Sequence, residues 1–326
     1  MPPSYPGTLH NYSPRLTAFE FGHTQTQPQK PHSLLFIGGL TDGLYTVPYV
    51  QQIAKALEST EWSLFSLLLS SSYGGWGIGS LDQDIEEIAK CVEYVRGLKK
   101  DGPGGKVVIM GHSTGSQDVL HYLTAANPVP VRSEIDGVEG FLRPVVDGAI
   151  MQAPVSDRQA MQSTVEGSPE AREAYERLVQ FAKEQPARAI CPIQLTGLVG
   201  LPPGTPVNAR RFWSLASPES PARPAEDDLF STDLTDERFD GTFGRVAGRG
   251  LLAGTLVALY SGSDEYAPDG VDKEALMARW KRAVDAEGVK KWDGEASGVI
   301  PGASHNVQDE GQAWLIERVL SYLNRV

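Results

Sequence analysis

Three residues of the types that together perform nucleophilic catalysis are spread along the chain: Ser113, Asp264 and His305. Ser113 is the centre of the pentapeptide Gly-His-Ser-Thr-Gly. A serine hydroxyl is a weak nucleophile until a base takes its proton, and the base needs an acidic group to orient it. If the fold brings these three side chains together, they predict acyl transfer through a covalent intermediate on serine.

The residues around Ser113 predict a sharp turn between a strand and a helix. The segment KVVIM, which starts at Lys106, has the continuous apolar character of a buried strand, and the segment SQDVLHYLTAA, which starts at Ser116, has helical spacing of its apolar residues. Glycine stands two residues before and two after the serine, as a strained nucleophile turn requires. The alternative is a glycine-rich turn whose serine only caps the helix.

His305 is the histidine best placed to act as the base. It follows the last predicted strand region and precedes a terminal amphipathic helix. In strand–turn–helix hydrolases the base occupies such a late loop. The other five histidines are His10, His23 and His32 before the core, His112 beside the nucleophile and His121 on the next helix. The alternative role of His305 is to cap the last helix.

Asp264 is the preferred acid because it lies in the loop at the carboxyl tip of the predicted strand at 256–260. A carboxylate at the tip of that strand can accept the Nδ1 proton of the base. Glu265 is adjacent and could substitute, and Asp157, at the tip of the preceding strand, is a third alternative. The order serine, aspartate, histidine is the one found in strand–turn–helix hydrolases.

Backbone N–H groups near the serine are predicted to hold the oxyanion. One donor comes from the turn after the strand at 34–37, which makes it Gly39 or Leu40, and the other is the N–H of Thr114, directly after the nucleophile. The alternative for the glycine pair is a plain tight turn. In this mechanism no metal ion or cofactor is needed.

Aromatic residues near the predicted site are candidates for contacts with substrate. Tyr73 and Trp76 lie in a glycine-rich loop after the strand at 62–69, and Trp213 and Phe230 lie in a later insertion. Loops at the carboxyl ends of strands face the ligand crevice in open α/β sheets. The alternative for Tyr73 and Trp76 is that their rings only pack this loop against the protein.

The rhythm of strands and helices predicts an α/β chain with a mostly parallel central sheet, helices on both faces and an inserted cap. The core comprises residues 1–153 and 251–326, and the cap comprises residues 154–250, beginning with one helical stretch over about 157–185. Large apolar residues in the insertion favour a folded cap over a disordered linker.

Composition limits the possible partners. The net charge of −12 and the pI near 5.0 disfavour nucleic acid and anionic membrane surfaces as partners. An acidic cluster could attract a cationic substrate, although a solvated loop face is the alternative; its members are Asp227, Asp228, Asp233 and Asp236. The first residues lack a secretion signal, and no segment is long enough to span a bilayer, so we expect a cytoplasmic protein with two buried, unpaired cysteines.

The motifs GHSTG, GSDEYAP and SHN resemble those of the α/β-hydrolase superfamily over nearly the whole chain. The segments FIGGLTDGL and RRFWSLASPESP, with EDDLFSTDL, resemble a fungal family that includes intracellular esterases of hydroxamate siderophores. This resemblance implies an α/β-hydrolase fold, a triad of Ser113, Asp264 and His305, and a siderophore ester of the fusarinine type as substrate.

Other functions on the same scaffold stay open from the sequence. These are hydrolysis of another small ester, a lipid, a lactone or a carbon–carbon bond, hydrolysis of peptides, and ligand binding or signalling without turnover. A serine at the turn disfavours dehalogenases and epoxide hydrolases, which attack with a carboxylate. The intact set of three residues disfavours a protein that only binds.

Overall fold

A computed structural model of the protein describes residues 4–23, 29–99, 105–127, 142–308 and 310–326. Within these residues, eight strands form one sheet in the order β1-β2-β4-β3-β5-β6-β7-β8. The strands are β1 (Gly7–Ser13), β2 (Leu16–Phe21), β3 (His32–Ile37), β4 (Trp62–Leu68), β5 (Val107–His112), β6 (Gly148–Gln152), β7 (Leu256–Ser261) and β8 (Gly298–Ile300).

The sheet is antiparallel only where β1 and β2 join it, and its six other strands are parallel. The register pairs Ile37 with Gly111 and His112 with Gln152. The carboxyl ends of β3, β5 and β6 therefore meet at one edge of the sheet. Loops that follow these strands can bring side chains from distant parts of the chain into one site.

Helices cover both faces of the sheet. They are α1 (Pro48–Ala56), α2 (Leu81–Leu98), α3 (Thr114–Thr124), α4 (Asp157–Glu166), α5 (Pro169–Glu184), α6 (Ile193–Thr196), α7 (Ala209–Ala216), α8 (Asp236–Gly241), α9 (Arg245–Arg249), α10 (Lys273–Val284) and α11 (Gln312–Leu323). Along β5, Val107 and Ile109 join the apolar cluster under α2, α3 and α10, while Val108 and Met110 join the cluster under α1 and α11. This alternation confirms the predicted sheet with two covered faces.

The helical stretch predicted over 157–185 is two helices, so the prediction of a single one is wrong. The first helix ends at Gly167, and the hydroxyl of Ser168 accepts the N–H of Ala171 at 3.3 Å to cap the second. Pro169 occupies the first position of that second helix, where its missing N–H costs nothing. The sequence Gly-Ser-Pro thus carries a stop and a start signal within three residues.

The segment predicted as a cap packs in two ways. Helices α4, α5 and α7 surround an apolar cluster of their own, which includes Met161, Leu178 and Phe212. Residues 229–252 instead contribute apolar side chains to the main core, among them Phe239. The boundaries of the cap at 154 and 250 stay a prediction.

Both cysteines, Cys91 and Cys191, are buried free thiols, as predicted. In the part of the chain that the structure describes, no helix is both long and apolar enough to cross a membrane.

The backbones of β3, β5 and α3 approach one another very closely. A Cβ atom added at Gly115, in the first turn of α3, would lie 2.5 Å from the carbonyl oxygen of Ile37 and 2.8 Å from that of Gly38. Because both obstacles are backbone atoms, neither can rotate away, and a side chain would push the helix off the sheet.

We therefore expect Gly115→Ala to lower the free energy of unfolding by about 1–3 kcal/mol. Gly97→Ala is the matched control, since Gly97 lies in α2 with open space around it and alanine favours a helix. Urea denaturation measures both variants. Equal stability of Gly115→Ala and wild type would contradict the close packing of this junction.

Candidate active site

Ser113 lies at the sharp turn between β5 and α3. Its backbone angles, φ +56° and ψ −123°, are strained for a residue with a side chain. A Cβ atom at Gly111 would lie 2.0 Å from the carbonyl oxygen of Gly115, so both flanking glycines are needed for the turn. The Ser113 side chain makes no capping hydrogen bond to α3, which argues against a role as a helix cap. This is the geometry of a nucleophile elbow.

His305 and Asp264 form a buried pair at the ends of β8 and β7. The imidazole Nδ1 lies 2.9 Å from Oδ2 and 3.0 Å from Oδ1 of Asp264. Glu265 instead accepts the backbone N–H of His305 at 2.8 Å, and Asp157 accepts a hydrogen bond from Gln117. Of the three acids considered from the sequence, Asp264 is the one that orients the ring. A proton held at Nδ1 leaves Nε2 as the basic atom.

Ser113 and His305 line the same cavity, which has a volume of about 260 Å³. Within the described residues, the Ser113 hydroxyl makes no hydrogen bond. In hydrolases without substrate, the hydrogen bond between the serine hydroxyl and the histidine base is often long, and it tightens when substrate binds. The shared cavity wall therefore places nucleophile and base where one bound ester can reach both.

The loop after β3 supplies the donor side of the predicted oxyanion hole. The N–H of Gly39 already donates to Oδ2 of Asp42 at 2.8 Å, which favours Leu40, a cavity residue, as the donor. A Cβ atom at Gly39 would lie 2.7 Å from Cβ of Ser113, so this glycine lets the loop lie beside the nucleophile. Thr114 is the first residue of α3, where N–H groups have no partner within the helix.

A buried polar network, which the sequence analysis missed, lies under the elbow. The side-chain amide of Gln152 donates to Ser261 Oγ at 3.1 Å, and its oxygen accepts the hydroxyl of Tyr49 at 2.8 Å. These two bonds fix the orientation of the amide. The same oxygen lies 2.5 Å from Nδ1 of His112, which must then carry the proton.

His112 links this network to the loop that carries the base. Burial and the neighbouring ring of His305 lower the pKa of His112 to about 4, so the ring is neutral at pH 7. Its Nε2 lies 2.9 Å from Oδ1 of Asn306; because a ring with its proton on Nδ1 can only accept at Nε2, we expect the Asn306 amide to turn its NH₂ group toward the ring. This hydrogen bond between His112 and Asn306, the residue after His305, fixes the position of the His305 loop relative to the turn at Ser113.

The four aromatic residues predicted to bind substrate do not line the cavity. Trp76 is buried in the apolar cluster of α4, α5 and α7, and Phe230 is buried against Trp280 with ring centroids 5.6 Å apart. Tyr73 is half exposed and its hydroxyl accepts the N–H of Leu44, while Trp213 lines a separate groove. Large aromatic rings gain most when they are buried, and the sequence does not show against which surface.

The cavity wall is formed instead by less prominent residues. One side consists of residues 40–42 after β3, and the other consists of α4 together with residues 199–202. The α4 residues that line it have helical spacing: Asp157, Ala160, Met161 and Thr164. The signal for Asp157 was its place in the short connection from β6 to α4, where it begins the helix.

The acidic cluster predicted from the sequence does not offer free charge to a substrate. Its four members pair with arginines: Asp227 with Arg211, Asp228 and Asp233 with Arg158, and Asp236 with Arg279. The first two pairs are buried, so the alternative of a wholly solvated loop face is also wrong. Buried charges are expected to be paired in this way.

One group of side chains outside the cavity could hold a metal ion by its spacing. His121 Nε2 lies 2.9 Å from Asp82 and 3.7 Å from Glu226. Glu226 also pairs with Arg210 at 3.3 Å, and the three side chains lie apart from Ser113. Attraction between these charges explains the group without an ion, and the reaction considered below does not use it.

Comparisons with known proteins extend over nearly the whole chain. A family described as protein of unknown function (DUF1749) matches residues 1–324. Fusarinine C esterase sidJ of Aspergillus fumigatus is 48% identical, with 98% of this chain and 96% of that protein covered, and an esterase of Emericella nidulans is also 48% identical, with 98% and 92% covered. The solved structure of siderophore hydrolase EstB from Aspergillus fumigatus superimposes with a TM-score of 0.86 at 46% identity, covering 99% of this chain and 98% of that chain. The protein therefore belongs to the DUF1749 family and is an esterase of the α/β-hydrolase fold.

Proposed function

We propose that the protein hydrolyses ester bonds of hydroxamate siderophores of the fusarinine type through an acyl-enzyme on Ser113. The observation that carries the proposal is that His305, which is hydrogen-bonded to the buried Asp264, lines the same cavity as Ser113. The substrate class rests on two relatives that cover nearly the whole chain, a fusarinine C esterase and a siderophore hydrolase. Bound iron, if present, enters as part of the substrate.

The reaction begins when the Ser113 hydroxyl attacks the ester carbonyl and His305 Nε2 takes its proton. Asp264 stabilises the imidazolium, and the N–H groups of Leu40 and Thr114 hold the oxyanion. The tetrahedral intermediate collapses as His305 gives the proton to the leaving alkoxide, which departs as the alcohol. Water then attacks the acyl-enzyme, with its proton taken by His305, and Ser113 is released together with the free acid.

The cytoplasm is part of this proposal as the site of action. Both cysteines are buried free thiols, which fits a reducing compartment. A siderophore esterase placed there would act on molecules that have already entered the cell.

Ser113→Ala should retain the fold and lose esterase activity by a factor of about a thousand or more, because the covalent step is removed. We expect this loss on p-nitrophenyl esters and on fusarinine-type siderophores. The siderophores are tested both iron-loaded and iron-free. Circular dichroism controls for folding. Cleavage of simple esters without any cleavage of siderophores would overturn the substrate class alone, whereas full activity of the variant would overturn the nucleophile.

Asp264→Asn should lower kcat by about a thousandfold or more, because an amide cannot stabilise the imidazolium. Glu265→Gln is the matched variant. It removes the neighbouring charge but keeps an oxygen that can accept the His305 backbone N–H, so its loss should be at least tenfold smaller, on the order of a hundredfold or less. Steady-state kinetics with one p-nitrophenyl ester measures both. The reverse order of the two losses would assign the acid to Glu265.

A further inference from the structure

The cavity at Ser113 is acidic. Among the described residues that line it, Asp42 and Asp157 carry carboxylates, and none is a lysine or an arginine. Asp42 is engaged in the loop after β3, where its Oδ2 accepts the N–H of Gly39. Asp157 lies on the α4 wall of the same cavity. A substrate entering this cavity therefore meets a carboxylate on the wall that Ser113 and His305 also line.

The contacts of Asp157 leave its charge without a cation. Its Oδ2 accepts the side-chain amide of Gln117 at 2.6 Å, and that amide also donates to the backbone oxygen of Asp227 at 3.1 Å. No lysine, arginine or histidine nitrogen of the described residues lies within 4.0 Å of the carboxylate, in contrast to the arginine pairs of Asp227 and Asp228. In addition, Oε1 of the fully buried Gln117 has no hydrogen-bond partner.

The protein around Asp157 carries more carboxylates than cations. Arg211 faces four of them and is already bound to both oxygens of Asp227 at 2.6 and 2.7 Å. Burial raises the pKa of Asp84 to about 7 and raises that of Asp118 well above its usual value, so these two carboxyl groups take up protons readily. Asp157 is the member of this set that opens into the cavity. An incoming cation would meet there a carboxylate that makes no ion pair with the described residues.

A carboxylate in the first turn of α4 also stabilises that helix, and this is the structural alternative. The helix dipole does not require the carboxylate to line the cavity of the nucleophile, nor does it account for the unpartnered acceptor next to it. An ammonium group has three donors and one positive charge, which match a carboxylate with a free oxygen.

We propose that Asp157 binds a protonated amine of the substrate, so that the cavity selects esters that carry an ammonium group over neutral esters of the same size. This inference rests on the proposed esterase function, because the ammonium subsite is defined relative to Ser113. It specifies that the substrate carries a positive charge and that Asp157 is the residue that binds this charge.

The test compares two esters of equal chain length, p-nitrophenyl 6-aminohexanoate and p-nitrophenyl heptanoate. Wild type should show the higher kcat/KM for the amine, and Asp157→Asn, which keeps the volume and an acceptor for Gln117, should lower the amine-to-neutral ratio about tenfold or more. Glu166→Gln is the control, because it removes the same charge from an exposed position of the same helix and should leave the ratio unchanged.

A ratio for Asp157→Asn within about twofold of wild type would overturn the subsite while leaving the esterase intact. Absence of hydrolysis of both esters and of fusarinine-type siderophores by wild type would instead overturn the proposed function. If Asp157→Asn turns over neither ester, binding is measured instead of hydrolysis. Calorimetry then compares the affinity of the amine ester for Ser113→Ala, which cannot cleave it, with its affinity for the double variant that carries Ser113→Ala and Asp157→Asn. Binding weakened about tenfold or more supports the subsite, and equal binding overturns it.

The selectivity should also depend on pH. Burial raises the pKa of Asp157 to about 6, so the carboxylate is charged above that pH and neutral below it. The charged or titratable groups that act on it are Asp227, Arg211 and His305. Because both esters need the same catalytic groups, the ratio of their rates removes any pH dependence that the two reactions share. The preference for the amine should be lost as the pH falls from about 8 to about 5, and a constant wild-type ratio over this range would contradict the proposal.

Discussion

The strained backbone at Ser113 is the constraint on which the rest of the site depends. Holding a residue with a side chain at φ +56° costs on the order of 1–3 kcal/mol. The surrounding structure supplies this energy: Gly111 and Gly115 let the two arms of the turn pack closely, and the Ser113 N–H donates to the backbone oxygen of Gln152 at 3.0 Å. The hydroxyl is thereby held at the edge of the sheet where the loops after β3, β7 and β8 arrive.

Gln152 connects the nucleophile to the base. Its backbone oxygen holds the elbow, and its side chain fixes the proton of His112 on Nδ1. The other nitrogen of that ring binds Asn306, next to His305. Ser113 and His305 lie 192 positions apart in the sequence, and a short run of buried hydrogen bonds sets their relative position. A buried network of this kind fixes positions only when every polar group in it has a hydrogen-bond partner. His112 must therefore be neutral, so that one ring nitrogen donates and the other accepts.

Local signals in the sequence predicted the fold and singled out Asp264 and His305, which the structure joins by a hydrogen bond, whereas long-range packing decided the rest. The elbow and the acid after β7 are readable because strand, turn and helix each have a short-range pattern. The choice of Leu40 over Gly39 depends on a hydrogen bond to Asp42, which no pattern shows. The aromatic residues failed as predictors of the pocket because a ring such as Trp76 gains as much from an apolar cluster as from a ligand. From the sequence, Asp157 was only a third alternative for the acid that orients His305. Only the folded chain shows that it does not bind His305.

Covalent labelling with a p-nitrophenyl alkylphosphonate, followed by peptide mass spectrometry, tests most directly whether Ser113 and His305 act together. A serine activated by an oriented imidazole should take up one phosphonyl group, at Ser113, and replacement of His305 by alanine should slow the labelling by about a thousandfold or more. A label on another residue, or labelling of Ser113 at an unchanged rate without His305, would contradict the central claim that these side chains act together.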